Sequence, residues 1–406
     1  MPFEWFVALR YLRDAKGQTA LILAAVAVGV SVIVFLSALI GGLQTSLIDK
    51  TLGSQPHITV RSPREAPRPL VEATPTRAIA RQIQESSQRL RSIDQWPSVM
   101  RTVEQVPGVI AASPSITGAG FAVRSDATSP IVIRGIDAER SLAIIDVRAK
   151  LLEGRFELGG GDVVIGTKLA ANLGVTVGDK LRISSTESVD DVVTIRGVFS
   201  LGNEGVDSTW LLTSLRHAQA LFALPGGVTT IELKVADVFE AKAIATEVAG
   251  RTGLQADSWM TINAELLAGL SAQSGSKNLI QFFVVIAVAL GIASVLIVSV
   301  VQKSREIGIL RAVGTPPGRI LRVFLIQGGV LGVLGSLVGS GLGALLATAF
   351  EGLVKDPRGA PRFPIELPPS LFVFATVLAT GVGLLSAVIP ARRAARLDPA
   401  TAIRNG

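Results

Sequence analysis

Residues 302–321, QKSREIGILRAVGTPPGRIL, separate two long runs that contain no charged residue. A run of this kind can cross a membrane when about 20 apolar residues form a helix through roughly 30 Å of hydrocarbon. The chain has four charge-free runs that are long enough, at 17–48, 278–302, 323–350 and 367–391. We therefore predict transmembrane helices at 19–42, 279–301, 324–349 and 370–390.

The distribution of charge predicts how these helices are oriented. Residues 1–18, 302–322 and 391–406 together carry 12 basic and 4 acidic residues, whereas 43–277 carries 24 basic and 25 acidic ones. Positive charge accumulates on the cytoplasmic side of membrane proteins. We therefore expect both termini and the 302–322 loop in the cytoplasm, and 43–277 and the short 351–369 loop on the outer side of the membrane. Because the basic residues cluster beside the spans, we do not expect nucleic-acid binding.

The first 18 residues favour a helix that lies on the membrane surface. Phe3, Phe6 and Val7 offer apolar contacts, while Arg10 and Arg13 suit lipid headgroups. A cleaved signal peptide is the alternative, but its apolar core would span about 7–15 residues, and this run is longer.

The segment 43–277 has the pattern of a folded α+β domain, as one body or as two lobes. The stretches 57–60, 130–136, 161–166 and 230–235 read as strands, and 76–105, 212–224 and 238–253 read as helices. A helix near 260–277 is expected to continue into the second span. The predicted fold is an α-helical membrane protein with four transmembrane helices and a large α+β extracytoplasmic domain between helices 1 and 2.

Few groups suit catalysis or metal binding. The chain has no cysteine and only two histidines, His57 and His217, which excludes thiolate chemistry and a site built from several imidazoles. No charged residue lies inside a predicted span, so a proton- or sodium-driven carrier is not indicated. Asp190–Asp191 and Asp207 read as a turn and a solvated loop, and His217 as surface. GDVVIGTK (161–168) approaches a phosphate loop, but Thr-Lys after the second glycine is the wrong order.

The loop between the second and third spans predicts a short helix that docks a cytoplasmic partner. Ile307, Leu310 and Val313 lie three residues apart, and Ile309 and Val313 lie four apart, which predicts one apolar stripe. Gly314 ends the helix, and Pro316–Pro317 prevents its continuation. A helix lying on headgroups is the alternative.

The third span predicts close helix packing. Gly335, Gly339 and Gly343 lie four residues apart on one helix face, where missing side chains let two backbones approach. A surface that slides during transport is the alternative.

Together these features resemble the FtsX-like permeases of type VII ABC transporters. The resemblance rests on REIGILRAVG (305–314), the glycine-rich third span and PARRAARLDPATAIR (390–404). Within that family, LGSQPHITV (52–60) and GDVVIGTKLAANLGVTVGDKLRI (161–183) are similar to the lipoprotein-releasing LolC/LolE permeases. The resemblance implies that the docking helix is a coupling helix lying in a groove of a separate ATPase. The residues it assigns to this contact are Arg305, Glu306, Ile309, Leu310, Arg311, Val313 and Gly314.

The resemblance also implies what the chain does and what it works with. It implies a non-catalytic permease subunit without a cofactor of its own, since the partner ATPase binds ATP and magnesium. Further expected partners are a second permease copy or paralogue, membrane lipids and a periplasmic protein. The implied function is ATP-driven movement of an amphiphilic substrate, in particular lipoprotein release from the bacterial inner membrane, in which the chain itself is expected to lie.

Three alternatives to lipoprotein release stay open. One is MacB-like efflux of small molecules or peptides with a periplasmic adaptor. Another is FtsX-like activation of an envelope hydrolase without transport. The last is a membrane-anchored enzyme, although no catalytic constellation points to it.

Overall fold

The computed structural model describes residues 3–63, 90–125, 127–187, 189–354 and 365–397. Its helices are α1 Phe3–Asp14, α2 Lys16–Leu52, α3 Trp96–Glu104, α4 Ala138–Ile144, α5 Thr167–Leu173, α6 Glu204–Thr209, α7 Leu215–Leu221, α8 Ala241–Thr252, α9 Trp259–Ile262, α10 Ala264–Gln302, α11 Ser304–Ala312, α12 Pro317–Leu353 and α13 Pro369–Ala395. Its strands are β1 Ile58–Arg61, β2 Val109–Arg124, β3 Ala127–Ile136, β4 Leu151–Gly154, β5 Asp162–Gly166, β6 Lys180–Ser185, β7 Asp190–Phe199, β8 Trp210–Ser214, β9 Thr230–Val235 and β10 Gln255–Ser258.

The chain forms two compact units. Residues 1–47 and 268–406 make up a helical unit, and residues 48–267 make up a sheet domain. The sequence expectation of one large folded segment between the first two spans therefore corresponds to a separate body with its own core.

Among the described residues, four helices, α2, α10, α12 and α13, are long and apolar enough to cross a membrane. Each includes one of the predicted spans, but α2, α10 and α12 are far longer than the spans, at 37, 39 and 37 residues. The helix expected near 260–277 begins at Ala264 as α10 and continues unbroken into the second span, which confirms that prediction. Much of the predicted 351–369 loop, at 355–364, and the end of the C-terminal tail, at 398–406, lie outside the described residues.

The core of the helical unit consists of aliphatic and small side chains that the long helices bring together. Its buried members include Val26 and Val30 of α2, Ile292 of α10, Leu331 of α12 and Ala379 of α13. Lipid gives apolar helices no hydrophobic reason to associate, so close packing of small residues must hold such a bundle together.

Six strands of the sheet domain close into a barrel-like ring. The order is β2-β3-β8-β5-β7-β6, and β6 completes the ring by pairing with both β7 and β2. The pairs β3–β8 and β5–β7 are parallel, and the other pairs in the ring are antiparallel. Alternate side chains point inward and fill the ring with aliphatic residues such as Ile133, Ile165, Leu181 and Ile195, which are fully buried.

A smaller antiparallel sheet, β10-β1-β9-β2, shares β2 with the ring. The first part of this 16-residue strand, from Val109 to Ser115, pairs with β9, and the rest, from Ser115 onward, pairs with β3. Helices α3 and α8 cover the smaller sheet around Trp259, which is fully buried and donates its indole N–H to the carbonyl oxygen of Val238 at 2.7 Å. The sheet domain therefore has two lobes that a single strand connects.

Two predicted helices in this domain are partly wrong. In the helix expected at 76–105, residues 76–89 lie outside the described part, and Leu90 and Ile93 are not helical. The backbone N–H of Ile93 instead donates to Val228 at 2.8 Å, and the helix begins only at Trp96. The helix expected from 212 begins at Leu215, because residues 210–214 form β8 between β3 and β5. Pairing with distant strands overrides the local helical spacing at these positions.

Candidate functional site

Helix α11 is a nine-residue segment whose two ends are sharply defined. It follows α10 after a single residue, Lys303. At its other end Gly314 adopts φ +97°, the left-handed region that a glycine occupies without a steric penalty. The N–H groups of Gly314 and Thr315 donate to the carbonyls of Arg311 and Leu310, which is the Schellman arrangement that ends a helix.

One face of α11 packs against the helical unit. Ile307 is 1% exposed and lies in a cluster with Phe324 of α12 and Ala391 of α13. Leu310 is partly buried and packs against the same cluster. The apolar core that the short loop lacks is therefore supplied by the neighbouring helices.

The opposite face of α11 is exposed. Arg305, Ile309 and Val313 lie four residues apart and form one stripe, which we name the exposed stripe. Ile309 is 49% and Val313 84% exposed. Two exposed apolar side chains that follow a solvent-facing arginine along one helix face are typical of a surface that a partner covers.

Arg311 attaches α11 to the end of α13. Its guanidinium donates to the carbonyl oxygen of Ala395, the last residue of that helix, at 2.9 Å and to that of Leu397, two residues beyond it, at 2.7 Å. A cation suits this position because the carbonyls at a helix C-terminus are partly negative. Arg311 therefore positions α11 rather than facing outward.

A basic cavity of about 540 Å³ opens beside this attachment. Arg311, Arg392 and Arg396 line it together with the start of α12. Three guanidinium groups around one cavity suit an acidic group from outside the chain.

Ion pairs connect the start of α11 to α1. Lys303 Nζ lies 2.7 Å from Glu306 Oε1 and 3.7 Å from Asp14 Oδ2, and it lies 5.3 Å from the centre of the Tyr11 ring. α1 in turn packs Val7, Ala8 and Tyr11 against α12. α11 is therefore held by α1 and α13 as well as by the chain on either side of it.

The structure distributes the predicted coupling residues over different environments. Arg305, Glu306, Ile309 and Val313 face outward, Leu310 is half-buried, Arg311 is bonded to α13, and Gly314 ends the helix. The single apolar stripe expected from Ile307, Ile309, Leu310 and Val313 is wrong, although Ile309 and Val313 do share one exposed face. Ile307 faces the core and Val313 faces solvent, because α12 and α13 cover only the Ile307 side.

The predicted glycines of the third span lie against α2. A Cβ atom on Gly339 would lie 2.5 Å from the carbonyl oxygen of Ala27, and one on Gly335 would lie 2.5 Å from Val26 Cγ1. Gly343 approaches Val34 and Ser31 in the same way.

A second glycine face of α12 escaped the sequence analysis. Gly328 and Gly332 approach α13, where a Cβ on Gly328 would lie 2.3 Å from the carbonyl oxygen of Gly383. The spacing of four residues between Gly328 and Gly332 is the same signal that identified the first face. α12 therefore approaches two different helices through two glycine rows.

In the described part of the chain, hydrogen bonds between two side chains connect α2 to α10 at three points along their length. They join Gln18 to Gln302 at 2.7 Å, Ser37 to Gln281 at 2.7 Å, and Gln44 to Ser274 at 2.8 Å. The residue numbers in each pair rise on α2 as they fall on α10, as expected for antiparallel helices in one register.

The residues considered for enzyme chemistry contact other parts of the sheet domain, and three expectations about them are wrong. Asp207 is 4% exposed and accepts hydrogen bonds from Ser200 Oγ and the Leu201 N–H, so it is not in a solvated loop. The His217 side chain is 9% exposed and lies between Thr213 and Asp191, so it is not surface. Asp191 belongs to β7 rather than to a turn. The sequence pattern around each of these residues did not indicate that other parts of the sheet domain pack against them.

The stretch that approaches a phosphate loop, GDVVIGTK, forms β5 and the start of α5, which confirms the strand predicted at 161–166. Within the part of the chain that the structure describes, no three His, Asp or Glu side chains are grouped to hold a metal ion.

His57 is buried in the sheet domain, and its Nδ1 accepts a hydrogen bond from the Val235 N–H at 3.2 Å. Burial lowers the pKa of its ring below the usual value.

Comparison with known proteins identifies similar sequences across nearly the whole chain. The sequence profile of the FtsX-like permease C-terminal region matches residues 278–399, and that of the MacB-like periplasmic core domain matches residues 19–251. The chain is 23% identical to the lipoprotein-releasing system transmembrane protein LolC of Neisseria meningitidis over 99% of both chains. It is 23% identical to LolE of Haemophilus influenzae over 98% of this chain and 99% of that protein. It is 29% identical to the macrolide export ATP-binding/permease protein MacB of Neisseria gonorrhoeae over 40% of this chain and 25% of that protein.

Proposed function

This chain belongs to the FtsX-like permease family and carries a MacB-like periplasmic core domain, and we propose that it couples ATP hydrolysis by a separate subunit to the release of lipoproteins from the bacterial inner membrane. The chain performs no bond chemistry in this proposal. It passes motion from a cytoplasmic ATPase to a substrate outside, together with a second permease copy or a paralogue.

The observation that carries the proposal is the exposed stripe on a helix that is otherwise held in place. α11 buries Ile307, and Arg311 bonds it to the end of α13. A force applied to Ile309 and Val313 therefore acts on the helical unit and not only on a loop. The basic cavity beside α11 offers a second contact, for an acidic group of the ATPase.

The composition of the spans supports an external source of energy. None of the four predicted spans contains a charged residue or a histidine that could carry a proton or coordinate an ion. ATP hydrolysis by a partner supplies the work in this proposal, and the partner holds ATP and magnesium.

A double substitution in the exposed stripe tests the ATPase contact. The full chain with Ile309→Glu and Val313→Glu is co-expressed with the ABC ATPase subunits of its source organism, and the ATPase that co-purifies is measured. We expect co-purification to fall at least about tenfold, since two carboxylates placed in an apolar contact each cost more than about 1 kcal/mol. Stimulated ATP hydrolysis is expected to fall with it.

The matched control is Val192→Glu in the sheet domain, where an exposed apolar side chain receives the same charge. It is expected to leave co-purification unchanged. Leu310 and Arg311 are unsuitable test positions because both support the attachment of α11. If the double variant retains the ATPase as well as the control does, the coupling assignment fails.

Similarity to LolC and LolE over nearly the full chain supports lipoproteins as the substrate. The test is the location of lipoproteins in cells depleted of this chain, measured by separating inner and outer membranes. Outer-membrane lipoproteins are expected to accumulate in the inner membrane. Unchanged sorting would remove lipoproteins as substrate and leave the ATPase contact untouched.

Efflux of small molecules is the second candidate, and the similarity to MacB over 40% of this chain favours it. Cells that lack the chain would then become more sensitive to macrolides while lipoprotein sorting stays normal. The two functions predict opposite results in these paired assays.

A further inference from the structure

A long apolar groove runs along the helical unit on the side of α12 that faces α1 and α13. It encloses about 660 Å³ and is lined almost entirely by aliphatic side chains, among them Val333 and Leu334 of α12 and Leu384 of α13. Gly329 leaves the space between α12 and α13 open, since a Cβ there would lie only 3.3 Å from Leu384 Cδ2. This groove is separate from the exposed stripe and from the two glycine rows described above.

One end of the groove carries the groups found at a membrane interface. Arg322 and Trp5 line that end. Trp5, on α1, is 44% exposed, and tryptophan is enriched where hydrocarbon meets headgroups. Arg322 is exposed and forms no ion pair with any residue that the structure describes, whereas the nearby Arg319 lies 3.8 Å from Glu4. The Arg322 guanidinium is therefore available to an anion from outside the chain.

The length of the groove matches one leaflet of a bilayer. Its lining on α12 extends from Arg322 to Leu334. Twelve residues of helix rise about 18 Å, and half of a hydrocarbon core of about 30 Å is about 15 Å. A cation at one end and an apolar channel of this length suit a molecule with a phosphate and a fatty acyl chain.

We propose that this groove binds one phospholipid, with an acyl chain along α12 and the phosphate at the Arg322 guanidinium. The charge bias of the chain places this end of α12 in the cytoplasm, so the lipid belongs to the cytoplasmic leaflet. Arginine binds phosphate through two parallel hydrogen bonds, which distinguishes a phospholipid from an uncharged amphiphile. The proposal is independent of which substrate the chain transports.

Native mass spectrometry of the full chain tests the proposal. The chain is released from detergent micelles that contain equal amounts of a palmitoyl-oleoyl phosphatidylglycerol and the corresponding phosphatidylethanolamine. We expect one phospholipid to remain bound after the others are stripped, with either headgroup, since both carry the phosphate.

Two variants test the two ends of the groove. Arg322→Gln removes the group that binds the phosphate, and Leu334→Trp fills the space for the acyl chain. Each is expected to lower occupancy at least about tenfold, the size expected for loss of a charge-assisted hydrogen bond or of the acyl-chain site.

Matched controls separate the groove from general lipid contact. Arg393→Gln removes an exposed arginine outside the groove, and Leu345→Trp enlarges an exposed leucine of α12 outside it. Both are expected to keep the lipid, and the melting temperature of every variant is measured to show that it is folded. Equal occupancy in all variants overturns the proposal, as does retention of detergent alone. Loss with Leu334→Trp but not with Arg322→Gln also overturns it, because the phosphate would then not be recognised.

Discussion

At the scale of single residues, an ion pair between Arg134 and Glu232 lies in the interior of the sheet domain, where both side chains are 5% exposed. Ser115 Oγ donates to Glu232 Oε1 at 3.1 Å, and the Arg134 guanidinium lies 4.0 Å from the centre of the Trp210 ring. Glu232 belongs to β9 in the smaller sheet and Arg134 to β3 in the ring, so the pair joins the two lobes across β2. Buried charges of this kind remain tolerable only while both partners are present.

Glu232→Gln is therefore expected to destabilise the sheet domain by about 3 kcal/mol, because it leaves the buried Arg134 charge without a partner. The measurement is thermal unfolding of the full chain in detergent followed by tryptophan fluorescence. The melting temperature of this domain is expected to fall by about 6–12 °C. The control is Glu247→Gln, which removes an exposed pair with Arg251 and is expected to change the free energy of unfolding by less than about 0.5 kcal/mol. If the Glu232→Gln and Glu247→Gln variants melt at the same temperature, burial does not determine how much stability is lost when an ion pair is broken.

His57 is expected to make the stability of the same domain depend on pH. Burial lowers the pKa of its ring, so the folded domain holds the neutral form. Below about pH 6.5 the unfolded chain binds a proton that the folded chain does not, so stability is complete above that pH and falls as the pH drops towards the lower folded pKa. His57→Gln removes this titration. A plot of melting temperature between about pH 8 and about pH 5.5 is expected to slope less in the variant, and identical slopes would rule His57 out as the cause.

At the scale of elements, α12 shows how absent side chains determine packing in the membrane. One glycine row lies against α2 and the other against α13, so this single helix contacts two neighbours at backbone distance. Gly341, which belongs to neither row, has open space where a Cβ would lie. Glycine content alone therefore does not reveal which positions are packed.

Gly339→Ala and Gly341→Ala form a matched pair two residues apart on α12. The Gly339 variant forces a Cβ to within 2.5 Å of the Ala27 carbonyl oxygen and is expected to cost about 1–3 kcal/mol by overpacking. The Gly341 variant meets no neighbour, and it is expected to be neutral or to stabilise the helix by up to about 1 kcal/mol. The assay is the thermal stability of the helical unit in detergent. A Gly341 variant as unstable as the Gly339 variant would mean that the glycines matter for flexibility rather than for close approach.

At the scale of the whole molecule, the asymmetry of charge predicts that the chain crosses the membrane four times, with the sheet domain outside. The segments at 1–18, 302–322 and 391–406 hold the excess of positive charge, whereas 43–277 is nearly neutral. The positive-inside rule then predicts that α11 lies in the cytoplasm, on the side of the proposed ATPase.

The absence of cysteine allows a direct test of this orientation. Val313→Cys and Val192→Cys each introduce the sole thiol of the chain at an exposed position. A membrane-impermeant maleimide applied to spheroplasts is expected to label the Val192→Cys variant at once and the Val313→Cys variant only after permeabilisation. Labelling of the Val313 variant from outside would invert the topology and remove α11 from the reach of ATP.

The sequence alone determined the number of spans, their approximate positions and the end of the docking helix, because these depend on local properties. A run without charge is long enough to cross a bilayer whatever surrounds it, and Gly314 before Pro316–Pro317 stops a helix in any context. The membership of the FtsX-like family that the motif at 305–314 indicated was also confirmed. Only the tertiary structure decided that Ile307 turns inward while Val313 turns outward, that β6 closes a ring with β2, and that Asp207 and His217 are covered. Those outcomes depend on which distant helices and strands pack against each residue, and local periodicity contains no information about that choice.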